Sequence, residues 1–263
     1  DQGSGFGLDF NWYGIPLFRL KRLIVMRRVF VVLLLSIGVA CSSDGEQKVV
    51  GGGELQQAAP SQEFARGADI SWVTQLESEG YKFYDQNGNP SECFSIMKGL
   101  GMDAIRLRVW VDPDGGWCSK DDTVEKALRA KKLGLRLMID FHYSDSWADP
   151  GKQTPPRGWK SDSAESLCQE LSNHTRDVLS ALKERGVLVE WVQVGNETSN
   201  GMLWPVGECD RSPENYAALT TAGYEAVKGV YPDAKVVVHL PNGDDFELYK
   251  WLFGELEAHS AKY

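Results

Sequence analysis

Beyond residue 64 the chain repeats one pattern: a short apolar run that ends in polar groups, then a longer stretch with apolar residues at helical spacing. The runs at 64–72, 104–110, 135–142, 189–196 and 235–240 are rich in Val, Ile, Leu and aromatic residues and read as strands. The stretches at 92–99, 123–133, 166–185, 213–230 and 246–258 read as helices, with Gly99 or Gly101 and Gly186 as stop signals. Strand and helix alternate, which is the pattern of β/α units in a parallel sheet and hence of an α/β fold. A doubly wound nucleotide-binding sheet would carry a glycine-rich turn after its first strand, and none of these strands is followed by one. The expected architecture is therefore a (β/α)8 TIM barrel, of which about five units are present where a closed barrel needs eight.

One run organises the rest: Val189-Glu190-Trp191-Val192-Gln193-Val194-Gly195-Asn196-Glu197. It is apolar until it stops abruptly in an amide and a carboxylate. At the carboxyl end of a barrel strand, where active-site loops gather, a half-buried carboxylate has the raised pKa that a general acid needs. Taken alone, the same stretch also reads as an Asn-Glu pair that merely opens a turn.

The first 63 residues follow a different logic. Met26-Arg27-Arg28, an apolar run at 29–37 and small residues before Cys41 form a secretory signal, with an apolar run too short for an ordinary transmembrane span. The break at Gly38-Val39-Ala40-Cys41 resembles a bacterial lipoprotein signal with Cys41 as the lipidated residue, although Gly38 stands where Leu is commonest. An ordinary signal peptide with a coincidental Cys is the alternative. The expected organisation is residues 1–25 as an upstream mis-start, 26–41 as the signal, 42–63 as a flexible tether around Gly51-Gly52-Gly53, and 64–263 as an incomplete catalytic barrel. The protein is then exported and held at the cell envelope through its N-terminal lipid only. Asp44 and Glu46 suit an outer-membrane surface location; without lipidation the protein is secreted.

Composition narrows the chemistry. With 42% hydrophobic residues in 263, the chain can build one large domain. A formal charge of −9 opposes polyanion binding, so no nucleic-acid partner is expected. Nine Trp is a high number, and Trp offers a broad apolar face on which a sugar ring can lie. On the second strand Arg106, Arg108 and Trp110 share a face, and two arginines there demand a polar site. On the third, Asp140 and His142 point the same way. Only four His occur and no pair sits at ligand spacing, so neither a metal nor another cofactor is expected. No Gly-x-Ser-x-Gly elbow supports a serine nucleophile. Carboxylate chemistry remains, and carboxylates at a barrel rim among Trp and His are what glycoside hydrolysis requires. Among the cysteines, Cys93 and Cys168 fall on helices, whereas Cys118 and Cys209 fall in rim loops and are the expected disulfide of an exported protein.

Taken together, Asp140-Phe141-His142-Tyr143-Ser144-Asp145, Trp147-Ala148-Asp149-Pro150, Val192-Gln193-Val194-Gly195-Asn196-Glu197, Gly67-Ala68-Asp69-Ile70-Ser71, Arg106-Leu107-Arg108-Val109-Trp110 and Trp204-Pro205-Val206-Gly207 resemble the endo-β-1,4-galactanase (arabinogalactan endo-β-1,4-galactanase) family of glycoside hydrolases. The resemblance covers about residues 64–263 and implies a (β/α)8 barrel that cuts β-1,4-galactan of pectic polysaccharide internally with retention. It implies that Glu197 is the acid/base and that Asn196 holds the hydroxyl next to the anomeric carbon. Arg108, His142 and His239 would line the cleaving subsite, and Trp110, Trp147 and Trp204 would be sugar platforms. Asp140 and Asp149 would pair with hydroxyls or with His142. The family's nucleophile ends the seventh strand, so counting units puts it beyond Tyr263, and no downstream Glu of this chain ends a strand. The chain as given is therefore expected not to hydrolyse galactan. Another retaining barrel glycosidase, such as a mannanase or cellulase, and a non-catalytic carbohydrate-binding lipoprotein are the alternatives.

Overall fold

The structure, a computed structural model, describes residues 64–160 and 163–263. The expected signal with Cys41 and the segments on either side of it lie outside the described residues. Five parallel strands stand side by side in chain order: β1 (Gly67–Asp69), β2 (Ala104–Val109), β3 (Arg136–Phe141), β4 (Trp191–Val194) and β5 (Lys235–Val237). Between and after them run α1 (Val73–Ser78), α2 (Cys93–Gly99), α3 (Lys120–Lys132), α4 (Ala164–Glu184), α5 (Pro213–Val230) and α6 (Phe246–Ala258). Each expected strand is present but shorter than its apolar run by one to six residues, lost at one end or both. Two elements carry too little periodicity to be read from the sequence: the six-residue α1 and an antiparallel hairpin pairing Phe83–Tyr84 with Pro90–Ser91.

Alternation along the strands sorts the two faces of the sheet. Ile105, Leu107 and Val109 of β2, Leu137, Ile139 and Phe141 of β3, and Val192 and Val194 of β4 are fully buried in one core, with Ala127, Leu167, Leu171 and Leu179 from the helices. Burying each large aliphatic side chain contributes about 1.5–3 kcal/mol. The alternate residues Arg106, Arg108, Asp140 and Gln193 form a polar second face. A sheet covered by helices on one face and polar on the other is the wall of a barrel rather than the centre of a doubly wound sandwich. Helix α5 is pressed hard against this wall. A Cβ on Gly223 would lie 2.5 Å from Cγ1 of Val194, the last residue of β4, so glycine is what permits the approach. At the opposite end of the strands, Arg136 and Glu190, both buried, form a two-point ion pair with Nε to Oε2 at 2.7 Å and Nη2 to Oε1 at 2.6 Å.

The expected disulfide between Cys118 and Cys209 is not formed; Cys93, Cys118, Cys168 and Cys209 are all free thiols. A bridge needs Cβ atoms about 3.5–4.5 Å apart, and two positions in rim loops do not ensure that. The Cys118 thiol instead accepts a hydrogen bond from Arg108 Nη2 at 3.3 Å and lies 3.9 Å from Lys126 Nζ, whereas Cys209 joins the main core.

Candidate active site

The site is built on the turn that ends β4. Gly195 has φ +84°, and a Cβ there would fall 2.6 Å from Cγ2 of Thr198, so the residue before the amide and carboxylate has to be glycine. Glu197 itself has φ +50°, a conformation that costs a non-glycine residue about 1–3 kcal/mol and persists only where its surroundings hold it. They do hold it. Its N–H donates to His239 Nδ1 at 3.1 Å, the N–H of Thr198 donates to the His239 carbonyl at 2.9 Å, and Gln153 Nε2 donates to the Asn196 carbonyl at 2.9 Å.

Beneath this turn lies a polar network centred on the half-buried Arg106. Its guanidinium donates to Asp69 Oδ2 at 2.6 Å, to Gln193 Oε1 at 2.9 and 3.2 Å and to Asn196 Oδ1 at 3.0 Å, and it pairs with Asp140 Oδ2 at 2.7 Å. Asp140 also accepts from Gln193 Nε2 and from His142, whose Nε2 is 3.0 Å away. His142 Nδ1 accepts from the backbone N–H of Ala148 at 3.0 Å, which leaves the ring proton on Nε2, facing Asp140. The side chain of Asn196 is fixed by Arg106 and Gln193 on its oxygen and by the Ala148 carbonyl, 2.8 Å from Nδ2. Burial opposes ionisation of Asp69, but Arg106 and two hydrogen bonds from Ser71 win, so its carboxyl is held below the usual carboxylate range.

Glu197 behaves in the opposite way. Burial pushes its pKa up, and the nearby carboxylate of Asp149 adds to this, against the opposing pull of His142 and Arg106. Burial, with Arg106, pushes His239 down, which agrees with a neutral ring whose Nδ1 accepts from the Glu197 N–H. The site thus holds a carboxyl biased towards its protonated form beside a rigidly oriented amide.

Several residues expected to touch sugar are enclosed by other side chains on the site face instead. Arg108 is 1% exposed, with its guanidinium carbon 4.5, 4.6 and 4.1 Å from the ring centres of Trp72, Trp110 and Trp147. It is the centre of a cation–π cage, not a lining residue. Asp140 and His142 are likewise buried and fully engaged with protein partners, and Trp110 is only 7% exposed, so none of the three offers a free face to a ligand. Trp147 at 43% exposure does present a face, and so does Trp72 at 38%. Trp204 is half-buried, with its ring N–H donating to the Asn200 carbonyl at 2.8 Å. Asp149 is half-buried in the same loop as Trp147. Arg106, Gln193, Gln153 and Trp72 were not among the expected site residues. Parity along β2 does place Arg106 on the site face, whereas nothing in the sequence marks Gln153. Among the described residues no group of three His, Cys, Asp or Glu could hold a metal ion.

A polar-faced parallel wall whose fourth strand delivers an amide and a half-buried acid to a Trp-lined rim is the architecture of a barrel glycoside hydrolase. The chain belongs to glycosyl hydrolase family 53, whose model matches residues 65–263. A probable arabinogalactan endo-β-1,4-galactanase A from Neosartorya fischeri is 37% identical over 202 residues, covering 75% of this chain and 56% of that protein. Among solved structures, a fungal β-1,4-galactanase superposes with a TM-score of 0.71 at 36% identity, covering 73% of this chain and 58% of the other. The family 53 catalytic domain from Ignisphaera aggregans gives 0.72 at 35% identity, covering 79% and 59%. The chain thus spans a little over half the length of these relatives, and its five β/α units are part of a TIM barrel.

Proposed function

We propose that the chain carries the proton-donor half of the site of an endo-acting, retaining glycosidase for β-1,4-galactan of the arabinogalactan type, with Glu197 as the proton donor. The observation that carries this reading is the contrast between carboxyls at one rim: Asp69 is held ionised by Arg106, while Glu197 is biased towards its protonated form by burial and Asp149. A proton donor to a glycosidic oxygen needs that bias. The relatives named as arabinogalactan endo-β-1,4-galactanases support galactan over mannan or cellulose as the substrate.

Retention needs a second carboxylate across the sugar ring, about 5–5.5 Å from the first. Among the described residues, Asp69 and Asp140 are tied to Arg106, and Asp149 lies on the loop next to β4 rather than across from it. On this reading the 263-residue chain binds galactan without cleaving it. Calorimetric titration with β-1,4-linked galacto-, manno- and cello-tetraoses, alongside reducing-sugar release from galactan, tests both statements. Binding of the galactose oligomer alone, with no release, is expected. Preference for mannotetraose or cellotetraose would refute the substrate, and release of galacto-oligosaccharides would refute the absence of a nucleophile.

A further inference from the structure

The peptide joining Asn196 to Glu197 is the joint from which both site side chains hang, and neither of its polar atoms has a backbone partner among the described residues. Its carbonyl oxygen accepts from Gln153 Nε2 at 2.9 Å, and its N–H donates to His239 Nδ1 at 3.1 Å. The two clamps come from opposite sides, Gln153 from the segment that follows β3 and His239 from the segment that follows β5. Gln153 is buried, and a buried amide is costly unless its polar atoms find partners. Its donor end is given over to this region: besides the Asn196 carbonyl it reaches the Asp149 carbonyl at 3.1 Å and, less closely, the Glu197 carbonyl at 3.4 Å. Its own carbonyl accepts from the Trp204 N–H at 2.8 Å. The side chain therefore ties the loop of Trp147 and Asp149 to the turn of Asn196 and Glu197, and the backbone carbonyl of the same residue ties in the loop of Trp204.

We propose that Gln153, opposed by His239, is a positioning residue: the pair clamps the Asn196–Glu197 peptide at its two polar ends and so sets the direction of the Glu197 carboxyl relative to the Asn196 amide. Its relevance to catalysis rests on the galactan reading; the clamp itself does not. The strained φ of Glu197 is the reason a clamp is needed, because a freed peptide can relax and swing the carboxyl towards water. The charged groups acting on that carboxyl are Asp149, His142, Arg106 and Asp140, and Gln153 holds the backbone of the first of them.

The test uses the full chain with Gln153→Met, which fills the space without donating, and Gln153→Ala. Urea unfolding reports folding, carbon-13 carboxyl resonances report the titration of Glu197, and calorimetry reports β-1,4-galactotetraose affinity. In the folded Met variant the Glu197 midpoint is expected to move down towards that of a solvated glutamate, and affinity to fall roughly tenfold, the weight of one well-placed hydrogen bond to a buried carbonyl. A lower unfolding midpoint with the Glu197 titration unmoved would reduce Gln153 to a structural residue and overturn the proposal. Nitrogen-15 shifts of His239 in the unaltered chain give a check that needs no variant: the proton is expected on Nε2, and a proton on Nδ1 would remove one jaw of the clamp and overturn it. Failure of the unaltered chain to bind galactotetraose would count against the galactan reading alone, since the titration still decides the clamp.

Discussion

His174 makes the fold acid-labile, by an amount that can be worked out. Its ring, on α4, meets Phe141 edge-on at 5.6 Å and packs against Trp159 at 6.1 Å and Tyr143 at 6.4 Å, while its Nε2 is buried without a partner. Burial pushes its pKa down to about 4; Asp177 opposes this and Lys120 adds to it. In the unfolded chain the same ring titrates near 6.5. Between these values the unfolded state binds the extra proton, so the stability present above pH 6.5 is lost as pH falls towards 4. At about 1.36 kcal/mol per pH unit, His174 alone removes about 3 kcal/mol by pH 4, out of roughly 5–15 for a whole domain. Replacing it by Phe keeps an aromatic ring in the box and removes the titration. Urea unfolding of the wild type and His174→Phe at pH 7, 6, 5 and 4 isolates the effect, since the carboxylates and His239 contribute to both. The gap between the two proteins should grow in favour of Phe by about 3 kcal/mol across this range. A gap independent of pH would refute the reasoning.

Glu197→Gln should raise thermal stability above the carboxyl's folded pKa: that pKa is raised, so the ionised form costs the fold stability that is present at low pH and lost as pH rises past 4.5. A melting difference that vanishes at low pH and opens at neutral pH is the expected result, and a lower melting temperature at neutral pH would contradict it. Arg106→Met strands Asp140 with only Gln193 and His142 as donors and should cost about 3 kcal/mol in denaturant unfolding, the lower end for a buried charge that loses its partner. A cost under about 1 kcal/mol would show that Arg106 does not compensate a buried charge there. Gly223→Ala should lower stability by about 1–3 kcal/mol, because its Cβ would overlap Val194; an unchanged melting temperature would show that α5 can slide away from β4.

The architecture was legible because period and polarity agreed: five apolar runs ending in polar groups became five parallel strands, and helices α5 and α6 match their apolar stretches at both ends. The site was legible in one dimension only. Alternation correctly placed Arg106 and Arg108 on the same face of β2, yet it could not say which of them reaches the turn of Asn196. The difference arises in the short α1, invisible as a pattern. The residues leading into it decide the matter: Ser71 Oγ accepts from the Arg108 N–H at 2.8 Å, and Trp72 closes the cage over its guanidinium. Arg108 is thereby sealed behind aromatic rings, and Arg106, with 26% of its side chain still exposed, becomes the cation that orders Asp69, Asp140 and Asn196. The same reasoning explains why His142 looked like a ligand contact. A histidine two residues after an aspartate on one strand face satisfies Asp140 as readily as it satisfies a sugar hydroxyl, and only the Ala148 N–H on its other nitrogen settles the choice. Where several polar side chains share a face, the pattern identifies the set. Their division into those that hold the acid and those left to meet a ligand is made by loops whose residues carry no periodicity at all, with Gln153 the clearest case.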